Sequence, residues 1–338
     1  MNVLGIETSC DETAAAVVKN GRDVLSSVVS SSLDFHKKYG GIVPEIAFRK
    51  QLETITEVAD CALKEAKTGL KDIGLISVTA GPGLLGSLLV GISFAKSLSY
   101  ARNIPLLGVN HLYSHIYAGF LNSKPARFPF IALVVSGGHT SLYYVRAWDK
   151  ISPLGSTQDD ACGEAFDKVA KILNLGYPGG PVIERTAASG DPGKIKFACS
   201  NTGRTLDFSF SGIKTAVLYY VRKNCKAPHF KCRGHQAADI CASFQECALN
   251  TLVDKTISAC LLKKAGTIVV GGGVAANSVL RRKFISRAGS GKLEIIFPPK
   301  EFCMDNAAMT AGLGYRLYKA GKRSRLCLNA SLDERRKA

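Results

Sequence analysis

Hydrophobic and polar positions fall into two regimes along this 338-residue chain. Short apolar runs end in polar or glycine-rich turns, and longer stretches carry helical spacing. The first run, Val3 to Ile6, enters the polar turn Glu7-Thr8-Ser9-Cys10-Asp11-Glu12, and a second run covers Ala14 to Val18. That pattern predicts a β-hairpin with a polar, anion-facing turn. The same design returns within Phe130–Val145, where IALVV leads into Ser136-Gly137-Gly138-His139-Thr140 and SLYYV follows. Two such units, each opening about half of the chain, point to a duplicated α/β architecture with a cleft between the halves.

Between the hairpins, Ile46, Leu52, Ile55, Val58, Ala59, Ala62 and Leu63 recur at helical spacing and predict an amphipathic helix over 46–67. Uncharged Ile73–Ala95 is long enough to span a bilayer, but Gly81-Pro82-Gly83 breaks it. A strand (LISVT), a tight turn and a buried helix are expected instead, with no membrane span. A short strand follows at Pro105–Val109. In the second half, 165–173 and 236–262 read as helices, the latter long and kinked or split. Thr267–Val270 is a buried strand running into Gly271-Gly272-Gly273, and a last helix over about 306–318 is rich in small residues. Strands alternating with helices give class α/β.

Hydrophobic residues make up 46% of the chain and charged residues 21%, enough apolar material for two cores, which excludes a disordered or fibrous chain. Lysine and arginine (44) outnumber aspartate and glutamate (27), for a formal net charge of +17. That excess argues for a polyanionic partner such as nucleic acid. The 11 cysteines are scattered, with no CxxC pair, so reduced thiols in a cytosol-like compartment are expected. The N-terminal stretch carries no basic segment, so no targeting peptide is expected.

Several groups of residues could carry chemistry. His111 and His115 stand at i and i+4, so on a helix both imidazoles share one face at metal-ligand spacing. A zinc protease needs Glu after the first His, and Leu112 stands there. Ser136-Gly137-Gly138 offers backbone N–H groups without bulk, suited to close approach of a phosphate or carboxylate. Gly271-Gly272-Gly273 ends a strand before a helix, a usual nucleotide position in α/β proteins, although neither a GxGxxG nor a P-loop motif is present. Asp159, Asp160, Glu164 and Asp167 cluster at a helix start, where Asp167 could recognise a hydroxyl. Asp305 sits where it could cap the last helix. Cys225, His229, Cys232 and His235 fall in a stretch with five basic and no acidic residues; their spacing fits no usual zinc pattern, so a solvated basic loop touching RNA is expected.

In combination the motifs are far more specific. IETSCDET, GPGLLGSLLVG, NHLYSHIYA, VSGGHT, DDACGEAFDKVAKILNLGYPGGP, FSFSGIKT, GGGVAAN and Asp305-Asn306 occur in this order from Val3 to about Tyr318. The chain strongly resembles the tRNA threonylcarbamoyladenosine transferase family, historically called glycoprotease or O-sialoglycoprotein endopeptidase, and specifically its bacterial branch. Ser114 departs from the small Ala or Gly usual between the histidines.

The resemblance implies a duplicated actin/hexokinase/Hsp70-like (RNase H-like) two-lobed fold with a nucleotide cleft. The expected lobes are 1–125, completed by a C-terminal helix over 306–325, and 126–305, with a basic tail over 321–338. It implies transfer of threonylcarbamoyl from threonylcarbamoyl-AMP to the exocyclic amine of the adenosine 3′ of the anticodon in tRNAs reading ANN codons. His111, His115 and Asp305 would ligate one divalent metal ion per chain, Fe(II) favoured and Zn(II) possible. Val134, Val135, Ser136, Gly137 and Gly138 would line the phosphate and carbamoyl part. Asp167, Gly180 and Glu184 would hold the ribose, with Asn277 near the base. Asp11 and Glu12 are candidates for taking the amine proton. Expected partners are tRNA, an inactive paralogue subunit and a small P-loop ATPase, in the cytoplasm. The alternatives are a metalloprotease, disfavoured by Leu112, and a sugar-kinase-like ATP-binding enzyme, for which His139-Thr140 offers no catalytic Asp.

Overall fold

A computed structural model describes residues 1–200, 202–203, 205–225, 235–289 and 293–331. They form two compact units, one of residues 1–126 with 298 onward, the other of 127–297. The first contains β1 (Asn2–Glu7), β2 (Glu12–Lys19), β3 (Asp23–Ser31), α1 (Leu33–Lys37), α2 (Pro44–Glu65), β4 (Ile73–Gly81), α3 (Leu85–Arg102), β5 (Leu106–Asn110) and α4 (His111–Tyr117). Its sheet runs β3-β2-β1-β4-β5, antiparallel across β1, β2 and β3 and parallel across β1, β4 and β5.

The second unit contains β6 (Phe130–Val135), β7 (Thr140–Ala147), β8 (Lys150–Ser156), α5 (Cys162–Ile172), α6 (Gly179–Ala187), α7 (Ser211–Asn224), α8 (His235–Lys263), β9 (Thr267–Gly271), α9 (Ser278–Ala288) and β10 (Glu294–Ile296). Its sheet runs β8-β7-β6-β9-β10, with β6, β7 and β8 antiparallel and β6, β9 and β10 parallel. Strand for strand this repeats the order and direction of the first sheet. The chain then returns to the first unit through α10 (Ala307–Lys319).

Successive side chains of a strand point to opposite faces. Leu4 and Ile6 of β1 join a core cluster with Ile55 of α2 and Leu88 and Ile92 of α3. Gly5 between them faces α10, whose small residues let it lie directly on the strand: a Cβ at Gly5 would meet Ala307 and Ala311. With helices on both faces, β1 is buried almost throughout, which is why it reads as a continuous apolar run rather than an alternation.

The structure departs from the pattern in several places. Both hairpins gain a third strand, β3 and β8, whose half-exposed mixed residues give a weak signal. The helix expected to be kinked or split is a continuous α8 of 29 residues, and no glycine or proline lies within it to interrupt it. Residues 321–331 of the expected basic tail pack on the first unit. Ser324 bridges to Leu106, its hydroxyl accepts from Gly108 N (3.0 Å), Ser331 N donates to Ala80 O (2.7 Å), and Leu328 and Ala330 join the core. This segment covers the edge that β5 would otherwise leave open. Residues 332–338 and 226–234, hence His229 and Cys232, lie outside the described residues. Among the described residues nine cysteines are free thiols and Cys225 is disulfide-bonded. No helix among the described residues is long and apolar enough to cross a membrane.

Candidate active site

Strand β5 passes into α4 without a loop. Asn110 ends the strand and caps the helix, its Oδ1 accepting from Tyr113 N (3.1 Å). His111 therefore stands in the first turn and His115 one turn later on the same face, with ring centroids 4.7 Å apart and edge to face. Both rings are buried. The carboxylate that meets them comes from 190 residues later. Asn306, not Asp305, caps α10, through its Oδ1 and Met309 N (3.0 Å). Asp305 is thereby left to face the histidines, its Oδ1 lying 3.0 Å from His115 Nε2 and 3.6 Å from His111 Nε2. One ligand atom from each residue falls within 4.8 Å of the others.

Two imidazoles and a carboxylate are a common donor set for a divalent transition metal, and convergence of both Nε2 atoms on one carboxylate oxygen suits a single ion. Among the described residues His115 Nδ1 is buried without a hydrogen-bond partner, and none of them competes for this ring from its other side. His111 differs. Its Nδ1 lies 3.2 Å from Glu7 Oε2 and 3.1 Å from Ser9 Oγ. Burial pulls the His111 pKa down, but the charges of Asp305 and Glu7 outweigh it and raise it to about 9. Burial pushes the Glu7 carboxyl up, and His111 with the Thr79 hydroxyl brings it below its ordinary value.

Asp11 ends the turn between β1 and β2, Glu12 opens β2, and this corner is gripped from two sides. Asp11 O accepts from Ser32 N (3.2 Å) and Ser32 Oγ (2.8 Å), while Gln51 Nε2 donates to Cys10 O (3.0 Å) and Glu12 O (2.9 Å). Burial, and then the negative charges of Asp305 and Asp11, hold the Glu12 carboxyl well above the usual range. The same causes raise the Cys10 thiol, burial first.

The remaining expected residues lie in the second unit: Val134 to Gly138 at the carboxyl end of β6, Asn277 beyond the end of β9, Asp167 on α5, and Gly180 and Glu184 on α6. Val134 and Val135 end β6 and are fully buried. Beyond them the turn is closed by Ser136 N donating to His139 O (2.8 Å) and His139 N donating to Ser136 Oγ (3.1 Å). Among the described residues a Cβ at Gly137 or Gly138 would meet nothing within 4 Å, so their backbone is open there. Gly163 at the start of α5 packs on Ser136 O, and Gly272, at φ +89°, packs on Val135 O. Asp167 Oδ1 accepts from Gly179 N (2.6 Å), beside Gly180, which is also open. Burial raises the Asp167 carboxyl. Glu184 Oε1 accepts from Ser278 N (2.8 Å) and Oγ (2.5 Å). Asn277 caps α9 through Leu280 N (2.9 Å), and its Nδ2 donates to Gln245 Oε1 (3.0 Å). Of the carboxylates before α5, Asp159 binds Ser209 Oγ, Phe210 N and Ser211 N at the start of α7, and Asp160 pairs with Lys168 and Lys214.

The family described as "TsaD: tRNA N6-adenosine threonylcarbamoyltransferase" matches residues 23–312. The chain belongs to this family. A tRNA N6-adenosine threonylcarbamoyltransferase of Clostridium kluyveri is 50% identical over 332 residues, 98% of this chain and 96% of that protein. A protein of the same name from Syntrophus aciditrophicus is 50% identical over 330 residues, with the same shares covered. Among solved structures, full-length HypF in its phosphate- and nucleotide-bound form matches 96% of this chain and 56% of its own, at 14% identity and a TM-score of 0.61. Component A of the (R)-2-hydroxyglutaryl-CoA dehydratase of Acidaminococcus fermentans matches 95% of this chain and 100% of its own, at 15% identity and a TM-score of 0.51. These likenesses show the fold, a two-lobed actin-like α/β architecture. For a member of the threonylcarbamoyltransferase family, the cluster of two histidines and an aspartate fits a single metal site.

Sequence reasoning found both histidines and Asp305 but missed the groups that hold them and the adjoining turn: Glu7, Ser9, Ser32, Gln51, Thr79 and Thr310. Glu7 lies inside the quoted motif IETSCDET, yet its partners come from β4, α4 and α10. No spacing rule links them.

Proposed function

We propose that this chain transfers the threonylcarbamoyl group of threonylcarbamoyl-adenylate to the exocyclic amine of the adenosine just 3′ of the anticodon, position 37, in tRNAs reading ANN codons, and that AMP leaves. The observation that carries this reading is the convergence of His111, His115 and Asp305 on one point in a chain of this family. Those three residues would hold one divalent ion, with Fe(II) favoured by two histidines plus one carboxylate and Zn(II) fitting the same donors. When bound, the ion supplies Lewis-acid stabilisation of charge at the departing phosphate.

The rest is the work of the chain's own side chains and backbone. The open Ser136-Gly137-Gly138 turn, with Val134 and Val135 behind it, offers N–H groups to the phosphate and carbamoyl oxygens. Asp167, Gly180 and Glu184 border the adenylate ribose, and Asn277 flanks the base with its amide fixed by Leu280 and Gln245. An aryl amine is a weak nucleophile and must lose a proton during attack. Asp11 and Glu12 are the candidates to take it, and the raised pKa of Glu12 moves its basicity toward neutral pH. The net charge of +17 suits the tRNA backbone. A paralogue subunit and a small P-loop ATPase complete the expected machinery, in the cytoplasm; the chain's lack of a P-loop motif agrees with such a division of labour.

The test is release of AMP from threonylcarbamoyl-adenylate by the metal-loaded chain, with its partners, as a function of added tRNA. tRNA-dependent release abolished in His111→Ala supports the reading. Release independent of both tRNA and His111 overturns it.

A further inference from the structure

We propose that Glu7 is the positioning residue of the metal centre: its carboxylate fixes the proton of His111 on Nδ1 and so aims the Nε2 lone pair at the side where Asp305 stands. This inference rests on the metal-centre reading above and goes beyond it, because it assigns the ring's tautomer to a residue that is not a ligand.

Glu7 is fully buried at the end of β1, and four donors from four places in the chain surround its carboxyl group. Ser9 N donates to Oε1 (2.7 Å), while Thr79 Oγ1 (2.5 Å), Thr310 Oγ1 (3.2 Å) and His111 Nδ1 (3.2 Å) all approach Oε2. A carboxylate so placed only accepts, so the histidine nitrogen beside it must carry the hydrogen. Ser9 Oγ, 3.1 Å from the same nitrogen, can share that hydrogen or turn its own elsewhere. In the neutral ring, the form that a metal ligand takes, the other nitrogen, Nε2, then presents its lone pair on the Asp305 side, 3.6 Å from Oδ1. His115 has no such guide among the described residues, where its Nδ1 finds no partner. The protein therefore specifies one imidazole and leaves the other to its ligand. Carboxylates that orient metal-binding histidines in this way commonly matter 10–100-fold in affinity.

Glu7→Gln separates positioning from packing, since it preserves shape while replacing one oxygen with NH2. Ser9 N is a backbone donor and cannot reverse, so it claims the remaining carbonyl oxygen. The amide NH2 is turned toward His111 Nδ1, where it donates, drives the ring hydrogen to Nε2 and blocks the metal-facing lone pair. The threonine hydroxyls, which can rotate, adapt to either arrangement.

The experiment measures Zn(II) and Co(II) affinity of the full chain by chelator competition, together with 15N-resolved NMR of the histidine rings in the Zn(II)-loaded protein. In the wild type, His111 should carry its hydrogen on Nδ1 and bind through Nε2. Glu7→Gln should bind both ions about 10–100-fold more weakly, with an altered Co(II) absorption spectrum and unchanged far-UV circular dichroism. Full affinity in folded Glu7→Gln, or a wild-type His111 bound through Nδ1, overturns the assignment. The wild-type NMR result stands by itself if Glu7→Gln does not fold. Absence of ion binding in the wild type overturns the metal-centre reading instead, whereas binding that is lost in His111→Ala but retained in Glu7→Gln overturns only the role of Glu7.

Discussion

Replacing Gly5 by alanine adds one methyl group at the place where α10 lies on β1, and the structure gives the cost. The new Cβ would stand 2.9 Å from both Cβ and N of Ala311 and closer still to the Ala307 carbonyl oxygen, where ordinary contact begins at 3.4 Å. Clearing Ala311 alone needs a shift of about 0.5 Å, and clearing a backbone oxygen in the first turn of α10 needs more. β1 is fixed by pairing on both sides, so the helix must move. Overpacking of this kind costs roughly 1–3 kcal/mol, which lowers Tm by about 3–10 °C in a unit of this size. Asp305 immediately precedes the helix cap and moves with it. A displacement approaching 1 Å at a catalytic group can cost ~100-fold in rate. Gly5→Ala should therefore lose metal affinity and transferase activity well beyond what its fall in Tm accounts for. Calorimetry, Co(II) titration and turnover measured on one preparation provide the check. A variant with unchanged Tm, full Co(II) affinity and normal turnover would refute the claim that this contact sets the position of Asp305.

Three other outcomes are expected. In the metal-free protein the His111 pKa stands at about 9 against an ordinary 6.5, so its stabilising charge is fully present below about pH 6.5 and lost as pH rises through 9. Chemical denaturation across that range should show stability declining in the wild type and declining less in His111→Gln. Asp159→Ala removes the acceptor for Ser209 Oγ, Phe210 N and Ser211 N and should cost about 1–3 kcal/mol, read by urea unfolding, with Co(II) affinity unchanged. Because Ser324 and Leu328 pack on β5 and Ser331 on β4, truncation before Gly321 should lower Tm. Exposed Lys322 and Arg325 changed to alanine should instead leave Tm alone and weaken tRNA binding in a salt-dependent way.

What could be read from the chain alone follows from which signals are local. His111 and His115 sit one turn apart in sequence, so their shared face was legible from spacing. Asp305 was assigned to them only through the family resemblance, since 190 residues separate it from His115. The duplication was legible in two apolar–polar-turn–apolar segments. The third strand of each sheet was not, because β3 and β8 are half exposed and carry mixed residues. Asp305 looked like a helix cap because Asp and Asn cap equally well, and only the structure shows Asn306 taking that place. Glu7 stayed hidden because a buried carboxylate declares itself through partners, and its partners lie 2, 72, 104 and 303 residues away.

If the two histidines and Asp305 serve transfer to one particular adenosine, the product depends both on that base and on His111. The most direct measurement supplies threonylcarbamoyl-adenylate, the metal-loaded chain with its partner subunits, and an unmodified ANN-decoding tRNA, and reads the digested nucleosides by mass spectrometry. Controls are a tRNA with guanosine at position 37 and the variant His111→Ala. Threonylcarbamoyladenosine is expected from wild-type enzyme on the adenosine-37 tRNA and from neither control. Equal product with His111→Ala, or product on the guanosine-37 tRNA, would contradict it.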